Sequence, residues 1–228
     1  MTPSLFSKNI KLCWTLLDEL ALGSSFSVPT SLNVNTEFRD LALEPGTQYV
    51  DLYKSGLALK HYNFLLKDNS YFQYSLIGDD VRLAYLPCPF VTDNDDFLVD
   101  LETSFKAELL SWEDYQSLME EIEERQTIPT VRYEYAEGQY REFLHPCSHF
   151  HIGHHSDNRW PVNRYLSPLA FTMIILKKYY QTHWDASADD GHTYKNPLNE
   201  KMAIERRKCP ILYDTFFSDN EKEVFYIT

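Results

Sequence analysis

The sequence is short of glycine, and the glycine-based motifs of several enzyme classes are missing from it. Only 7 of the 228 residues are glycine, and they form neither a phosphate-binding loop nor a dinucleotide-binding fingerprint. A Gly-x-Ser-x-Gly nucleophile elbow and an acid–acid–lysine cluster of the nuclease type are also missing. These absences argue against an ATPase, a dehydrogenase and a serine hydrolase.

Cysteine pairs and long apolar runs are missing as well. The four cysteines are scattered without a Cys-x-x-Cys pair, which argues against a zinc knuckle and a thioredoxin-like motif. Dispersed thiols are typical of the reducing cytoplasm. No apolar run reaches the roughly 20 residues of a membrane span, and residues 1–22 carry charges inside their apolar pattern, unlike a secretory signal. The sequence therefore predicts a cytoplasmic protein with no membrane partner.

Basic residues are in the minority, with 21 lysines and arginines against 34 aspartates and glutamates and a net charge of -13. An acidic surface repels phosphate backbones, so broad non-specific binding of nucleic acid is excluded. A small basic site for a phosphate-containing ligand is compatible with this charge. Arg159 and Arg164 precede a helix start at Ser167, where free backbone N–H groups and guanidinium groups could hold an anion together.

The apolar pattern predicts an α+β fold. A hydrophobic fraction of 43% and a length of 228 residues suit one domain over residues 1–228 with a substantial core. Its sheet is antiparallel, built from hairpins, and packed against a central apolar helix with flanking helices. The predicted elements are an N-terminal helix over 1–22 that Gly23 ends, hairpins within 47–90 and 128–153, and a central helix over 167–184.

Two acidic segments are read as solvated structure. The three aspartates within Asp93 to Asp96 predict a loop, because the glycine and glutamate of a calcium loop do not fall in place. Ser111 and Asp114 predict the capped start of a helix that continues to Glu124 with one acidic face.

The clearest predicted hairpin runs from Thr130 to Pro146. Its strands are residues 131–135 and 140–144, joined near Glu137 and Gly138. This register pairs Tyr135 with Tyr140, Glu134 with Arg141 and Arg132 with Phe143. It would place Arg132, Glu134, Arg141 and His145 on one face of the sheet.

Five of the eight histidines follow at once, at positions 145, 149, 151, 154 and 155. Residues two apart in a strand share a face, so His145, Cys147, His149 and His151 are predicted to project together. Ser148, Phe150 and Ile152 would then face the core. Pro146 is the point at which this register could shift.

Three interpretations of the cluster stay open. His149 and His151 could ligate a divalent metal, with Glu134, His145 or His154 completing the set. The histidines could instead act without metal as acid and base, beside an arginine. They could also be structural. The candidate catalytic residues are His149, His151, Arg132 and Glu134, and the candidate substrate-binding residues are Arg141, His145, His154, Arg159 and Arg164.

Four motifs carry a resemblance to a known family: Arg132–Tyr135, His145-Pro146-x-Ser148-His149-x-His151-Ile152-Gly153, Arg159-x-Pro161-Val162 and Ser167-Pro168-x-x-Phe171. With these motifs the chain resembles the bacterial domain-of-unknown-function family 2290. It implies an intracellular bacterial protein of mobile or host-defence gene clusters, and it supplies no reaction. The leading hypothesis is a histidine-centred phosphodiester or nucleotide hydrolase that acts as a defence effector. The alternative is a non-catalytic accessory subunit that binds a partner protein encoded nearby, through its acidic helix or its N-terminal helix.

Overall fold

The structure is a computed structural model that describes residues 1–90, 97–120, 129–154, 157–188 and 195–225. Within these ranges the chain forms nine α-helices and one seven-stranded antiparallel sheet, so the predicted α+β class is confirmed. The predicted loop at Asp93 to Asp96, His155 and the end of the acidic helix at Glu121 to Glu124 lie outside the described residues. None of the described helices combines the length and the apolar character that a bilayer crossing needs.

The sheet is a meander in which each strand pairs with the strand before it and the strand after it. The strands are β1 (Gly23–Phe26), β2 (Phe64–Leu66), β3 (Tyr71–Ile77), β4 (Asp80–Leu86), β5 (Val131–Tyr135), β6 (Ser148–Ile152) and β7 (Trp160–Pro161). The β3–β4 hairpin is present as predicted. Ile77 pairs with Asp80 across its two-residue turn, where Gly78 takes a positive φ of 62°.

The helices are α1 (Pro3–Glu19), α2 (Thr36–Leu43), α3 (Tyr49–Ala58), α4 (Phe97–Lys106), α5 (Trp112–Glu120), α6 (Pro168–Tyr179), α7 (Gln181–Asp185), α8 (Pro197–Lys208) and α9 (Asp219–Phe225). The N-terminal helix is confirmed, but Gly23 does not end it. Ala21 takes the left-handed conformation with φ of 54° after the last turn. Gly23 lies in β1 instead, where the ring of Trp14 leaves no room for a side chain.

The main core lies between one face of the sheet and helices α1 and α6. Ser167 caps α6 by accepting a hydrogen bond from the backbone N–H of Ala170, as its sequence predicts. The ring of Phe171 is fully buried between Phe72 and Phe150. The central helix therefore exists, but it ends at Tyr179, and Tyr180 breaks it from the short helix α7.

A second, smaller core covers part of the opposite face of the sheet. The prediction of hairpins within 47–90 misses a helix, because Tyr49–Ala58 is α-helical. Its buried residues Leu52, Tyr53 and Leu57 recur at helical spacing, and burial of that stripe against the second core favours the helix. Gly56 lies so close to the hydroxyl of Tyr71 that a side chain there would clash.

Helix α5 begins with the predicted capping arrangement. The hydroxyl of Ser111 accepts a hydrogen bond from the backbone N–H of Asp114 at 3.0 Å and donates one to the Asp114 carboxylate at 2.8 Å. Tyr115 is buried in the second core, whereas Glu113 and Asp114 are exposed. The described part of this helix thus has the predicted acidic outer face.

The predicted hairpin between 131–135 and 140–144 is wrong. Strand β5 pairs with β6 instead, and Glu134 lies opposite His149 rather than Arg141. Residues 141–145 form a turn that the Arg141–His145 bridge closes, with φ of 60° at Phe143. Burial decides this register, since β6 buries Ser148 and packs Phe150 on the core, whereas Phe143 and Leu144 stay exposed in the turn.

Candidate metal centre

The candidate site lies on the face of β5 and β6 that points away from α6. Two cross-strand rows build it. In the first row, Arg82 on β4 lies opposite Glu134 on β5, which lies opposite His149 on β6. In the second row, Arg132 lies opposite His151. Because residues two apart in a strand share a face, these five side chains project together, as the strand parity predicts for four of them.

Glu134, His149 and His151 form a compact group of donor atoms. The Nε2 atoms of His149 and His151 lie 3.0 Å apart. The Oε2 atom of Glu134 lies 3.9 Å from Nε2 of His149 and 4.0 Å from Nε2 of His151. All three ligand atoms fall within 4.8 Å of one another, which is a spacing that one metal ion can span.

The tautomer of His149 follows from its hydrogen bond. Its Nδ1 lies 2.8 Å from the carbonyl oxygen of Pro146, and a carbonyl can only accept, so Nδ1 carries the proton. The lone pair of Nε2 then points toward His151 and Glu134. A histidine ligand oriented by a backbone carbonyl in this way is typical of metal sites.

Burial keeps His149 neutral. The side chain has no exposed surface, and this burial, with the adjacent His151, lowers the pKa of His149 to about 4. The charge of Glu134 and the hydrogen bond to Pro146 act in the opposite direction but do not overcome it. A neutral imidazole is the form that binds a metal.

Two arginines hold Glu134 in its ionised form. Its Oε1 accepts a hydrogen bond from Nε of Arg82 at 3.0 Å and forms an ion pair with Nε of Arg132 at 2.9 Å. Burial alone would raise the pKa of Glu134, but the charges of Arg132 and Arg82, followed by the two histidines, lower it. Oε1 is thus taken by the arginines, while Oε2 faces the imidazoles.

The direct contact between the two imidazoles bears on the three interpretations of the cluster. In a metal-free acid–base pair, the two imidazoles need a reacting group between them. Here Nε2 of His149 and Nε2 of His151 are in direct contact, so no phosphoryl group fits between them. The arrangement suits either a shared metal ion or an imidazole–imidazole hydrogen bond in which His151 donates to His149.

Pro146 shifts the register of the predicted histidine face. Cys147 was expected beside the histidines, but it is fully buried in the main core, on the opposite side of the sheet. His145 lies outside strand β6, and its ring contacts that of His149 edge-on, with centroids 5.1 Å apart. The buried Nδ1 of His145 has no hydrogen-bond partner among the described residues.

The remaining predicted substrate-binding residues do not all join the site. Burial is the main cause that lowers the pKa of Arg132, and Arg159 lies near enough for its charge to lower this pKa further. His154 bonds through Nε2 to the carbonyl of Thr47 at 2.8 Å, in the loop before α3. Arg164 donates to the carbonyls of Arg206 and Cys209 at the end of α8, and Arg141 is an exposed residue of the 141–145 turn.

Two contributors were missing from the predicted set. Arg82 reaches the site because β4 pairs with β5, a pairing that no local pattern indicates. The Pro146 carbonyl orients His149 and has no side-chain signal at all. The cluster is only partly open to solvent, because His149 and His151 are buried while Arg82 and Arg132 reach the solvent. A groove of about 410 Å³ lies elsewhere, among residues of α1, α6 and α8.

The comparisons with known proteins identify the family. The family described as "Uncharacterized conserved protein (DUF2290)" matches residues 24–228, which is most of the chain. The chain therefore belongs to this family, as its motifs predict. No curated protein and no solved structure matches it.

Proposed function

We propose that this member of the DUF2290 family is a metal-dependent hydrolase that acts on a phosphodiester or a nucleotide, with Glu134, His149 and His151 as its metal ligands. One observation carries the proposal. Two Nε2 atoms 3.0 Å apart and a carboxylate oxygen within 4.0 Å of both converge on one point beside two arginines. This convergence combines a ligand set with groups that bind anions.

The ligand set fits a catalytic metal better than a structural one. Structural zinc sites are closed by four protein ligands, whereas catalytic zinc is held by three, often two histidines and a glutamate, and keeps one position for water. Bound by these three residues, a divalent metal would lower the pKa of a coordinated water and would so supply a nucleophile near neutral pH. Glu134 gives one oxygen to this set and keeps the other for Arg82 and Arg132.

Charge favours a phosphate-containing substrate. Arg82 and Arg132 carry two positive charges and share the single carboxylate of Glu134, and Arg159 lies near them. A divalent metal would add to this positive excess, which an anionic substrate group would offset. Guanidinium groups match the geometry of phosphate oxygens. In the reaction, the oxygen of water bonds to phosphorus, the ester P–O bond breaks, and the ester oxygen leaves as an alcohol with one proton of that water.

An accessory subunit that binds a partner protein is the second candidate, and one observation favours it. Trp112 on α5 is 46% exposed and Leu109, just before the helix, is 77% exposed, beside the acidic residues Glu113 and Asp114. Large apolar side chains in such positions are typical of contact surfaces. The setting in a bacterial defence or mobile-element system rests on the family resemblance alone and stays a prediction.

Metal titration tests the ligand set. We expect the metal-free protein to bind one Zn²⁺ or Co²⁺ per chain in calorimetry, and H149A, H151A and E134Q to lose this binding. His183 is an exposed histidine far along the chain, so H183A is the matched control and should bind as the wild type does. Equal binding by wild type and H149A would contradict the proposal.

Turnover tests the reaction. We expect the metal-loaded protein to hydrolyse bis-p-nitrophenyl phosphate or a nucleoside phosphate, and H151A to lose the activity while it stays folded by circular dichroism. Metal binding without hydrolysis of any phosphate ester would remove the hydrolase and leave the metal centre. Capture of a partner that W112A no longer binds would then favour the accessory subunit.

A further inference from the structure

The C-terminal helix α9 is tied to the turn that precedes the histidine strand. Ser218 and Glu221 form a capping box at the start of this helix. The backbone N–H of Glu221 donates to the Ser218 hydroxyl at 3.1 Å, and the Ser218 N–H donates to the Glu221 carboxylate at 3.0 Å. A capping-box glutamate normally lies at the surface, but Glu221 is only 1% exposed.

Glu221 is buried because the turn at 140–145 covers it. Its Oε2 accepts a hydrogen bond from the hydroxyl of Tyr140 at 2.9 Å, and its Oε1 accepts one from the backbone N–H of Phe143 at 3.1 Å. The Ser218 hydroxyl also donates a hydrogen bond to the Glu142 carboxylate in the same turn. The ring of Tyr140 packs edge-on against Phe216, just before the capping box. A buried carboxylate with these hydrogen bonds holds the turn in one conformation, since loss of either side would leave an unsatisfied buried group.

The same turn delivers two contacts to His149. The turn closes where the N–H of Arg141 donates to the His145 carbonyl at 2.9 Å and the N–H of His145 donates back at 2.8 Å. The ring of His145 then lies edge-on to the ring of His149, and the next residue, Pro146, accepts the Nδ1 proton of His149. The chain of contacts runs from Glu221 through the turn to the imidazole.

We infer that Glu221 is a positioning residue for the metal centre, which it serves by fixing the 140–146 turn and thereby the orientation of His149. This inference rests on the proposed function, because His149 is a ligand there. Groups that orient metal ligands typically change affinity by roughly 10- to 100-fold when they are removed. Glu221 lies in a segment more than seventy residues away in the chain and reaches the turn through its hydrogen bonds to Tyr140 and Phe143.

The test compares E221A with a matched variant. Glu205 is also a buried glutamate near the C-terminus, at 6% exposure, and its carboxylate accepts a hydrogen bond from Ser167 at 2.9 Å on the α8 side of the molecule. The E205A protein therefore loses a comparable buried contact without touching the turn. Two readouts are taken for both variants: Co²⁺ affinity from the visible spectrum, and deuterium uptake of peptides that cover residues 140–149.

We expect E221A to weaken Co²⁺ binding by about 10-fold, to alter the Co²⁺ spectrum and to raise uptake in 140–149, while E205A matches the wild type in all three. The E221Q variant keeps one acceptor oxygen and should fall between E221A and the wild type; it also serves if E221A fails to fold. Wild-type affinity and uptake in E221A or E221Q would overturn the inference, as would equal losses in E205A. If the wild-type protein binds no Co²⁺, the proposed metal centre is overturned instead. The difference in deuterium uptake between E221A and the wild type would then still show whether Glu221 fixes the conformation of the turn.

Discussion

Arg82 and Glu134 face each other across β4 and β5, and the guanidinium Nε of Arg82 donates to the Glu134 carboxylate at 3.0 Å. This contact connects the β3–β4 hairpin to the histidine strand through a single acidic side chain. Since Arg132 forms an ion pair with the same oxygen, Glu134 does not depend on Arg82 alone to stay ionised. Because the Arg82 side chain is also 61% exposed, a second anion beside the proposed metal ligands could contact it.

The first prediction concerns Arg82. We expect R82A to raise the KM for a phosphate substrate and to leave Zn²⁺ affinity within about threefold of the wild type, because Arg132 still holds Glu134. Steady-state kinetics and calorimetry measure the two effects. Arg39, an exposed arginine paired with Asp40, provides the control R39A, which should change neither. An unchanged KM in R82A would show that the anion does not bind there.

The second prediction concerns pH. The pKa of His149 is about 4 in the folded protein and near 6.5 in the unfolded chain. Between these two pH values His149 is protonated in the unfolded chain and neutral in the folded protein. The free energy of unfolding of the metal-free protein should therefore rise as pH increases from about 4 to about 6.5 and then level off. Urea unfolding at steps of pH measures it, and H149Q should show a shallower rise. A wild-type slope in H149Q would contradict the burial of this imidazole.

A third prediction follows from the thiols. All four cysteines are buried, and burial raises the pKa of Cys13 and of Cys147 to about 12. The thiolate is the reactive form, so we expect slow modification of the native protein by Ellman's reagent at pH 8 and four fast thiols per chain after unfolding in guanidinium. The absorbance of the released thionitrobenzoate gives both counts. Fast stoichiometric labelling of the native protein would show that the thiols are accessible.

The fourth prediction tests the core between α6 and the sheet. Phe171 is fully buried between Phe72 and Phe150, so F171A should lower the free energy of unfolding by about 3–5 kcal/mol. Ile174 on the same helix is only partly buried, and I174A should cost distinctly less. Thermal and urea unfolding compare the two. If the order were reversed, the packing of α6 on the sheet would differ from this description.

Local signals in the sequence predict part of the fold. The N-cap at Ser167 and the apolar run after it predict α6, and the alternation around Gly78 predicts the β3–β4 hairpin, because each depends on residues close together in the chain. The break at Tyr180 was not predicted. The hydroxyl of Tyr180 bonds Asp68, in the turn between β2 and β3, at 2.8 Å and the hydroxyl of Tyr85, on β4, at 2.9 Å, and both partners are distant in the chain.

For the candidate site, the sequence predicts which side chains share a face of the sheet, but it does not predict which strands pair. His149 and His151 share a face with Arg132 and Glu134, because alternation within a strand is independent of its partner. The predicted partner strand of β5, residues 140–144, is wrong, because this alternating segment is as strand-like in sequence as the true partner, residues 148–152. The Ser-x-x-Glu capping pattern at Ser218 and Glu221 was a signal that the C-terminal segment is ordered, but its contact with Tyr140 is long-range.

The edge strand β7 beside His149 is only two residues long, and one of them is Pro161, which has no N–H to donate. A foreign strand that tried to extend the sheet at this end would find too few donors to form a stable ladder. Self-association of the chain by strand addition is thereby discouraged at the margin where the imidazoles lie. A ligand of these imidazoles would therefore contact side chains here rather than add a strand to the sheet.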